Sequence, residues 1–348
     1  MRIGMPMNYS GGFMEMVAEL ADYEKAGLDI VTVPEAYSFD AVSQLGFIAA
    51  RTERLTIASG ILQIYTRTPA LTAMTAAGLD YVSGGRFLLG IGASGPQVIE
   101  GFHGVPYDAP IGRTRELVEI CRMVWRRERL VYHGKYYTVP LPADEGTGLG
   151  KPLKLINHPV RERVPIMLAA IGPKNVELAA EIAESWEPMF FMPERASEVW
   201  GDSLAAGAER RDPVLGKLDI VAQASVAIGD DVEGLLEGGR SSIALYVGGM
   251  GARGRNFYNS LAQRYGFEAE AKVIQDLYLD GKKAEAAAAV PVDLLRNTNL
   301  VGPESWIRER LSVYAEAGVT SLTVTPIADS HTERVRIIER LADLARDL

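Results

Sequence analysis

The sequence of 348 residues predicts an α/β protein whose fold is a (β/α)₈ TIM barrel with insertions. Its apolar runs are short and continuous rather than alternating, which is typical of parallel strands buried on both faces. They follow helical segments at the spacing of βαβ units. Two distant segments, 25–34 and 316–326, also resemble each other, since both run from a helix end through glycine into a strand closed by proline. Repetition of one βα unit is what a barrel requires.

The individual elements follow from local signals. Eight strands are predicted at 2–7, 30–33, 55–62, 86–91, 165–170, 186–191, 219–228 and 321–325. Helices are predicted between and after them at 13–26, 41–51, 69–81, 113–127, 175–184, 196–210, 303–317 and 332–348. Gly27 ends the first helix, Asp40 caps the second, and Pro69 starts the third, each in the position that its backbone chemistry favours.

Three segments depart from the alternation. Residues 130–140 predict a hairpin with His133-Gly134 at its turn, and the Gly- and Pro-rich stretch 145–159 predicts a loop. Residues 230–299 predict a helical insertion. We therefore expect one TIM-barrel domain over residues 1–348, with a helical excursion at 230–299. The glycine-containing segment 245–251 either lines a substrate pocket or forms a packed connection, and the sequence leaves both open.

Composition limits the partners and the compartment. The net charge of -9 argues against nucleic acid as a partner, because phosphate binding needs a clustered excess of Lys and Arg. The single cysteine, Cys121, fits a reducing compartment, and no apolar run approaches the ~20 residues that span a bilayer. We expect a soluble cytoplasmic protein without a membrane partner. No pair of histidines has metal-ligand spacing, so no metal is expected.

A glycine-rich motif follows the fourth predicted strand. The stretch Gly90-Ile91-Gly92-Ala93-Ser94-Gly95 matches GxGxxG. A dinucleotide site would also need a helix starting in the motif and a second strand after it, and residues 101–106 contain no strand. We favour a strand end where bare backbone approaches a planar ring, and keep the dinucleotide site as the weaker alternative.

Polar side chains after two strands are candidates for chemistry. Glu35 directly follows the second strand, Gln97 follows the fourth, and His103 comes just after it. Active sites of barrels form at the carboxyl ends of the strands, so these three are the candidate catalytic residues. The alternatives are a surface glutamate and a packed loop histidine. Hydrolysis is disfavoured, because the chain has no GxSxG motif and no Ser–His–acid order.

Two further strand ends predict contacts with a cofactor. Gly60, at the end of the third strand, invites a bulge or an unusual peptide, although an ordinary strand end is as good an interpretation. Ala170-Ile171-Gly172-Pro173 leads from a strand into a helix, whose free N–H groups and dipole favour an anion. Lys174 lies beside this turn, and its positive charge would strengthen the binding of an anion there.

Taken in order, these stretches resemble the luciferase-like monooxygenase superfamily, and more narrowly its coenzyme F420-dependent oxidoreductases. The resemblance covers nearly the whole chain, and the region Gly84-Gly85-Arg86-Phe87 is among its most characteristic parts. The matching stretches are 32–37, 40–41, 59–63, 67–69, 79–92, 94–98, 172–175 and 185–188.

The resemblance implies hydride transfer between coenzyme F420 and an unknown small organic substrate, in a homodimer. It implies a cis peptide between Gly60 and Ile61 behind the cofactor ring. The implied cofactor contacts are Pro6, Ser59, Gly60, Ile61, Gln63, Gly92, Ser94, Gln97, Val98, Ala170, Ile171, Gly172 and Pro173. Sugar-phosphate dehydrogenases of the group carry a histidine after the second strand, where this chain has Glu35, so that activity is not expected.

Two alternative functions fit the same residues. The first is an FMN-dependent monooxygenase that uses reduced flavin and oxygen, because FMN shares the tricyclic ring and the phosphate. The second is a flavin- or deazaflavin-binding protein without catalysis, against which Glu35 and Gln97 argue. The sequence determines neither the substrate nor the direction of hydride transfer.

Overall fold

The computed structural model describes residues 1–348 and shows the predicted closed barrel. The strands are β1 (Arg2–Pro6), β2 (Ile30–Val33), β3 (Thr56–Ser59), β4 (Leu62–Gln63), β5 (Phe87–Gly92), β6 (Tyr132–His133), β7 (Thr138–Val139), β8 (Ile166–Ala169), β9 (Ser185–Glu187), β10 (Asp219–Ile228), β11 (Leu300–Gly302) and β12 (Val319–Pro326). The eight barrel strands are all parallel and run in the order β12-β1-β2-β3-β5-β8-β9-β10, and β10 pairs with β12 to close the ring. The fold class predicted from the sequence is confirmed.

Helices pack around the outside of the barrel. They are α1 (Phe13–Lys25), α2 (Ala41–Ala49), α3 (Pro69–Val82), α4 (Pro96–Ile99), α5 (Pro110–Trp125), α6 (Pro173–Ile182), α7 (Ala196–Ala208), α8 (Arg240–Ala244), α9 (Phe257–Arg264), α10 (Glu268–Leu279), α11 (Lys283–Ala288), α12 (Val292–Asn297), α13 (Glu304–Glu316) and α14 (His331–Ala345). The predicted caps at Asp40 and Pro69 are present: the Asp40 carboxylate accepts from the Ser43 N–H, and Pro69 opens α3. No helix is long and apolar enough to cross a membrane.

Two predicted strands continue at least three residues past the observed strand ends. The third, predicted over 55–62, ends at Ser59, because its side-chain hydroxyl bonds both the N–H and the C=O of Gly90 and replaces the ladder between β3 and β5. The chain re-forms the pairing as β4. The sixth, predicted over 186–191, ends at Glu187, because Pro188 has no N–H to donate and Phe190 adopts φ +53°.

The segment between β10 and β11 contains no barrel strand. It holds α8 to α12 and a π-helical turn over Leu245–Gly249 that continues α8. The short strand β11, which the sequence analysis did not predict, adds to the edge of β10. Residues 130–140 form the predicted antiparallel hairpin, β6 and β7.

The core has two layers of packing. A large cluster lies between the strands and the helices, and it includes Cys121, whose thiol pKa is raised by burial. A small cluster of Ile30, Ala58, Leu88, Met167 and Val221 comes from five different strands. Residues from five strands of a ring contact one another only inside it, so this cluster marks the barrel interior.

Candidate active site

The interior layer at the mouth of the barrel is uneven. Side chains on one face of a strand recur every second residue, so the next interior layer lies two residues beyond the small cluster. It comprises Thr32, Gly60, Gly90, Ala169 and Gln223, and Glu187 is paired in register with Ala169. One half of this layer therefore lacks bulky side chains, and the other half carries a carboxyl and an amide.

Bare backbone forms one wall of the mouth. The peptide between Gly60 and Ile61 is cis, as the resemblance implies. A Cβ on Gly90 would lie 1.8 Å from the Ser59 carbonyl oxygen, and one on Gly92 would lie 2.4 Å from Ile61 Cδ1. Glycine is therefore required at Gly90 because the Ser59 backbone approaches it closely, and at Gly92 because the Ile61 side chain fills the place of a Cβ.

The Ser59 side chain is used for strand pairing rather than for a ligand. Its hydroxyl lies 2.8 Å from the Gly90 carbonyl oxygen and 2.9 Å from the Gly90 nitrogen, and the residue is fully buried. Ser59 therefore exposes no surface to a cofactor in this structure, and the cofactor contact that the resemblance implies for it stays a prediction.

Glu35 is held in a buried ion pair. Arg67 Nη1 and Nη2 lie 2.8 and 2.7 Å from the two carboxylate oxygens, and the Ala41 N–H donates to Oε2 at 3.1 Å. The Glu35 and Arg67 side chains are only 8% and 12% exposed, and Arg67 also pairs with Asp40. Glu35 lies on the expected face, but both its oxygens are engaged, which fits positioning of the loop after β2 better than proton transfer.

Gln63 and His103 support the same loop. Gln63 Nε2 donates to the Ala36 carbonyl oxygen at 2.7 Å, and His103 Nε2 lies 3.4 Å from the same oxygen. Ala36 itself has φ +44°, a conformation that these contacts hold in place. Both residues are expected at the mouth from the sequence. In the structure, the two side chains approach the same atom, the carbonyl oxygen of Ala36.

Gln97 is the one candidate catalytic side chain that makes no hydrogen bond with the protein. It is exposed in the first turn of α4, while Val98 beside it is buried. Ser94 adopts φ +59°, and its carbonyl oxygen lies 3.4 Å from the Tyr107 hydroxyl. Pro6 ends β1 next to Thr32 of β2.

The N-terminus of α6 is open at the predicted anion site. Gly172 is the N-cap with φ −70° and ψ 145°, no side chain caps the helix, and a Cβ at this position would meet no atom within 4 Å. Two tryptophans fix the turn before this helix. Trp186 Nε1 donates a hydrogen bond to the Ala170 carbonyl oxygen (2.9 Å), and Trp200 Nε1 donates one to the Ile171 carbonyl oxygen (3.2 Å). This end can accept an anion.

Glu187 is the polar residue of the mouth to which the sequence analysis gave no role. It is 6% exposed and ends β9, and Gln223 Nε2 donates to its Oε1 at 3.0 Å. Its Oε2 accepts no hydrogen bond from the protein. Burial raises the pKa of the Glu187 carboxyl, and the Gln223 hydrogen bond offsets only part of that effect. The position of Glu187 at a strand end was the only sequence signal for a role in the site. Its hydrogen-bond partner, Gln223, lies 36 residues further along the chain and could not be inferred.

Aromatic side chains surround the mouth above Glu187. The rings of Tyr246 and Tyr258, from the segment after β10, lie 4.8 Å apart, and Phe190 lies 5.5 Å from Tyr246. Desolvation of its hydroxyl, together with nearby Tyr246, Glu187 and Tyr37, raises the pKa of Tyr9 to about 12. These tyrosines are therefore neutral, and the segment 245–251 lies at the mouth.

Sequence comparison decides the family. The profile of the luciferase-like monooxygenase family matches residues 1–321. The chain belongs to that family. It is 40% identical over 333 residues to a Mycobacterium tuberculosis protein named as a candidate coenzyme F420-dependent oxidoreductase, covering 93% of this chain and 95% of that protein. It is 26% identical over 333 residues to the 5,10-methylenetetrahydromethanopterin reductase of Archaeoglobus fulgidus, covering 93% of each.

A solved family structure has the same fold. The coenzyme F420-dependent tetrahydromethanopterin reductase from Methanopyrus kandleri aligns with a TM-score of 0.79, at 20% identity, over 99% of this chain and 98% of that one. At this identity the match establishes the fold alone.

Proposed function

We propose that the protein is a coenzyme F420-dependent oxidoreductase that transfers a hydride between this cofactor and a small organic substrate at the mouth of the barrel. The Mycobacterium tuberculosis relative, named for F420, supports the cofactor, and the Archaeoglobus fulgidus reductase supports the reaction class. The observation that carries the proposal is the asymmetric mouth, in which glycine-rich strand ends face a buried carboxyl and amide.

The residues present fit a deazaflavin cofactor. The backbone of the cis peptide between Gly60 and Ile61 lies directly after β3, where a planar ring can lie against it. The uncapped N-terminus of α6, at Gly172, follows the end of β8 at Ala169 closely in the chain. Its free N–H groups can bind a phosphate. When bound there, F420 accepts or donates a hydride at C5 of its ring.

The protein side chains then have distinct tasks. Glu35 and Arg67 fix the loop after β2, together with Gln63 and His103, so that the mouth keeps its shape. We propose Glu35 as a positioning residue. Gln97 is free to orient the substrate or the cofactor tail. The aromatic rings of the rim exclude water from the reacting atoms.

The substrate class follows from the rim. Its side chains are aromatic and neutral, and the guanidinium of Arg67, below the loop after β2, is already paired with Glu35 and Asp40. Burying a charged substrate group there would lack a counter-ion. We therefore propose an uncharged organic substrate with an apolar face, and a homodimer located in the cytoplasm as the working form.

Cofactor titration tests the proposal. Purified protein is titrated with F420 and, separately, with FMN, while tryptophan fluorescence is followed. The signal reports on the site, because the indoles of Trp186 and Trp200 bond the turn before α6. We expect saturable quenching by F420 at concentrations at least about tenfold below those needed with FMN.

Each other outcome has a clear consequence. Tight FMN binding with weak F420 binding would replace the proposal by an oxygen-using flavin monooxygenase. Binding of F420 without hydride transfer to or from any organic substrate, charged or neutral, would favour a cofactor-binding protein without catalysis. Binding of neither cofactor would remove the proposal and leave the family and the fold.

A further inference from the structure

We propose that Glu187 is the proton donor of the active site, held as a neutral carboxylic acid in the barrel mouth and positioned by Gln223. The inference rests on the proposed function. It assigns to this chain a catalytic residue on β9 and a substrate class, namely an uncharged molecule with a polarised C=O, C=N or C=C double bond.

The strand geometry directs Glu187 into the barrel. In β9 the side chain of Trp186 packs outward against Trp200, with ring centroids 5.2 Å apart. Ser185, on the opposite face, donates a hydrogen bond to Asp219 and pairs in register with Met167 of the interior cluster. Because side chains alternate along a strand, Glu187 shares the interior face with Ser185 and lies one layer closer to the mouth.

The surroundings of Glu187 contain no cation. The adjacent strand β8 presents Ala169 to it, β10 presents Gln223, and the next strand, β12, presents Thr323, whose buried hydroxyl has no partner. Glu187 contributes to raising the pKa of the Tyr9 hydroxyl, after β1, and Tyr9 is itself neutral. A buried carboxyl without a cation is more stable in its protonated form.

The hydrogen bonding leaves one oxygen of Glu187 free. Gln223 Nε2 donates to Oε1, and no protein group donates to Oε2. A protonated carboxyl oriented by an amide at one oxygen can carry its proton on the other. Gly60, Gly90 and Ala169, on the opposite side of the same layer, carry no side chain larger than a methyl group, and this is the side from which a substrate double bond would approach.

The proton and electron balance is complete. In the reducing direction, the electrophilic atom of the substrate double bond gains a hydride, with its electron pair, from reduced F420. The π pair moves to the other atom of the double bond, which gains the proton of Glu187. The Glu187 carboxylate is reprotonated from water, to which the oxidised cofactor has lost one proton. The same group is the base in the opposite direction.

The first test measures protonation without any cofactor. Melting temperatures of wild type, Glu187→Gln and the exposed control Glu309→Gln are compared across pH. In the unfolded chain Glu187 ionises near 4.5, whereas the folded protein keeps its proton to higher pH. Unfolding then releases a proton above that pH, so wild type loses stability as pH rises. We expect the Glu187→Gln variant to gain in melting temperature relative to wild type as the pH rises above 4.5, and the control to run parallel to wild type. A constant difference would show an ionised Glu187 and overturn the inference.

The second test measures proton donation. Reoxidation of reduced F420 is followed with a panel of neutral ketones, imines and enones. We expect turnover with at least one of them to fall at least about 100-fold in Glu187→Gln, with the F420 dissociation constant within about twofold of wild type. Gln223→Leu should shift the descending limb of the pH profile to higher pH, because the hydrogen bond that lowers the carboxyl pKa is lost.

The outcomes separate the two proposals. Full turnover by Glu187→Gln would overturn the role of Glu187 and leave the F420 function standing. Failure of wild type to bind F420 would overturn the function, while the pH dependence of stability would still decide whether Glu187 is neutral. If wild type binds F420 but reduces no member of the panel, the substrate class is wrong.

Discussion

Two carboxyl groups lie on the inner face of the barrel at opposite ends, and their surroundings differ. Asp219 begins β10 at the amino end of the strands, where Arg2 lies 2.5 Å from its carboxylate. It also accepts hydrogen bonds from three hydroxyls, those of Ser185, Thr320 and Ser321. Glu187 ends β9 at the carboxyl end and has only Gln223. The amino end of the barrel is built for stability, whereas the carboxyl end leaves a polar group available to a ligand.

The carboxyl end of the barrel contains a stabilising ion pair between Glu35 and Arg67. We expect its disruption to reduce stability more than any other change proposed here. In Arg67→Met the Glu35 carboxylate stays buried without its cation. We expect the free energy of unfolding, measured by urea denaturation, to fall by about 3 kcal/mol. The matched double variant Glu35→Gln/Arg67→Met removes both charges and should recover at least half of the loss. Equal stability of the two variants would show that the pair does not hold the loop after β2.

At the amino end, Asp219→Ala should reduce stability and leave ligand binding intact. The variant leaves Arg2 unpaired and three hydroxyls without their acceptor, so we expect the free energy of unfolding to fall by about 2 kcal/mol. The F420 dissociation constant should change by less than about twofold, because Asp219 is two interior layers from the mouth. A large loss of F420 affinity in a folded Asp219→Ala protein would contradict the division between the two ends.

The opposite behaviour is expected at the α6 N-terminus. Gly172 has a backbone conformation that any residue adopts and open space at its Cβ position, so Asp or Asn can cap the helix there. Gly172→Asp should bind F420 at least about tenfold more weakly, because its carboxylate occupies the N–H groups and repels phosphate. The control Gly172→Asn differs in charge alone and should bind more tightly than Gly172→Asp. Neither variant should melt below wild type. If Gly172→Asp and wild type bind F420 with equal affinity, the cofactor phosphate does not bind at the N-terminus of α6.

The sequence predicted the barrel because the strand signal is local. Apolar runs, glycine caps and proline positions are read within about ten residues, and the third helix and β10 were placed from them. The same locality explains the errors. The end of β3 depends on a hydroxyl that reaches Gly90, 31 residues away, and the end of β9 on the conformation of the chain after Pro188.

The location of the site could be predicted from the sequence, whereas the roles of its residues could be predicted only in part. Position after a strand brought Glu35, Gln97 and His103 to one face, since carboxyl ends of parallel strands meet there. What each can do depends on pairing partners that the sequence separates widely, such as Arg67 for Glu35 and Gln223 for Glu187. The roles of these residues in binding and catalysis stay predictions for the variants described above.

The most direct measurement of the central claim is the infrared difference between wild type and Glu187→Gln at neutral pH. A protonated carboxyl has a carbonyl stretch that a carboxylate lacks, and exchange into D₂O shifts it. We expect this band to be present in wild type, absent in Glu187→Gln and perturbed when F420 binds. Its absence from wild type would mean that Glu187 is ionised at the mouth of the barrel, and would contradict its assignment as the proton donor.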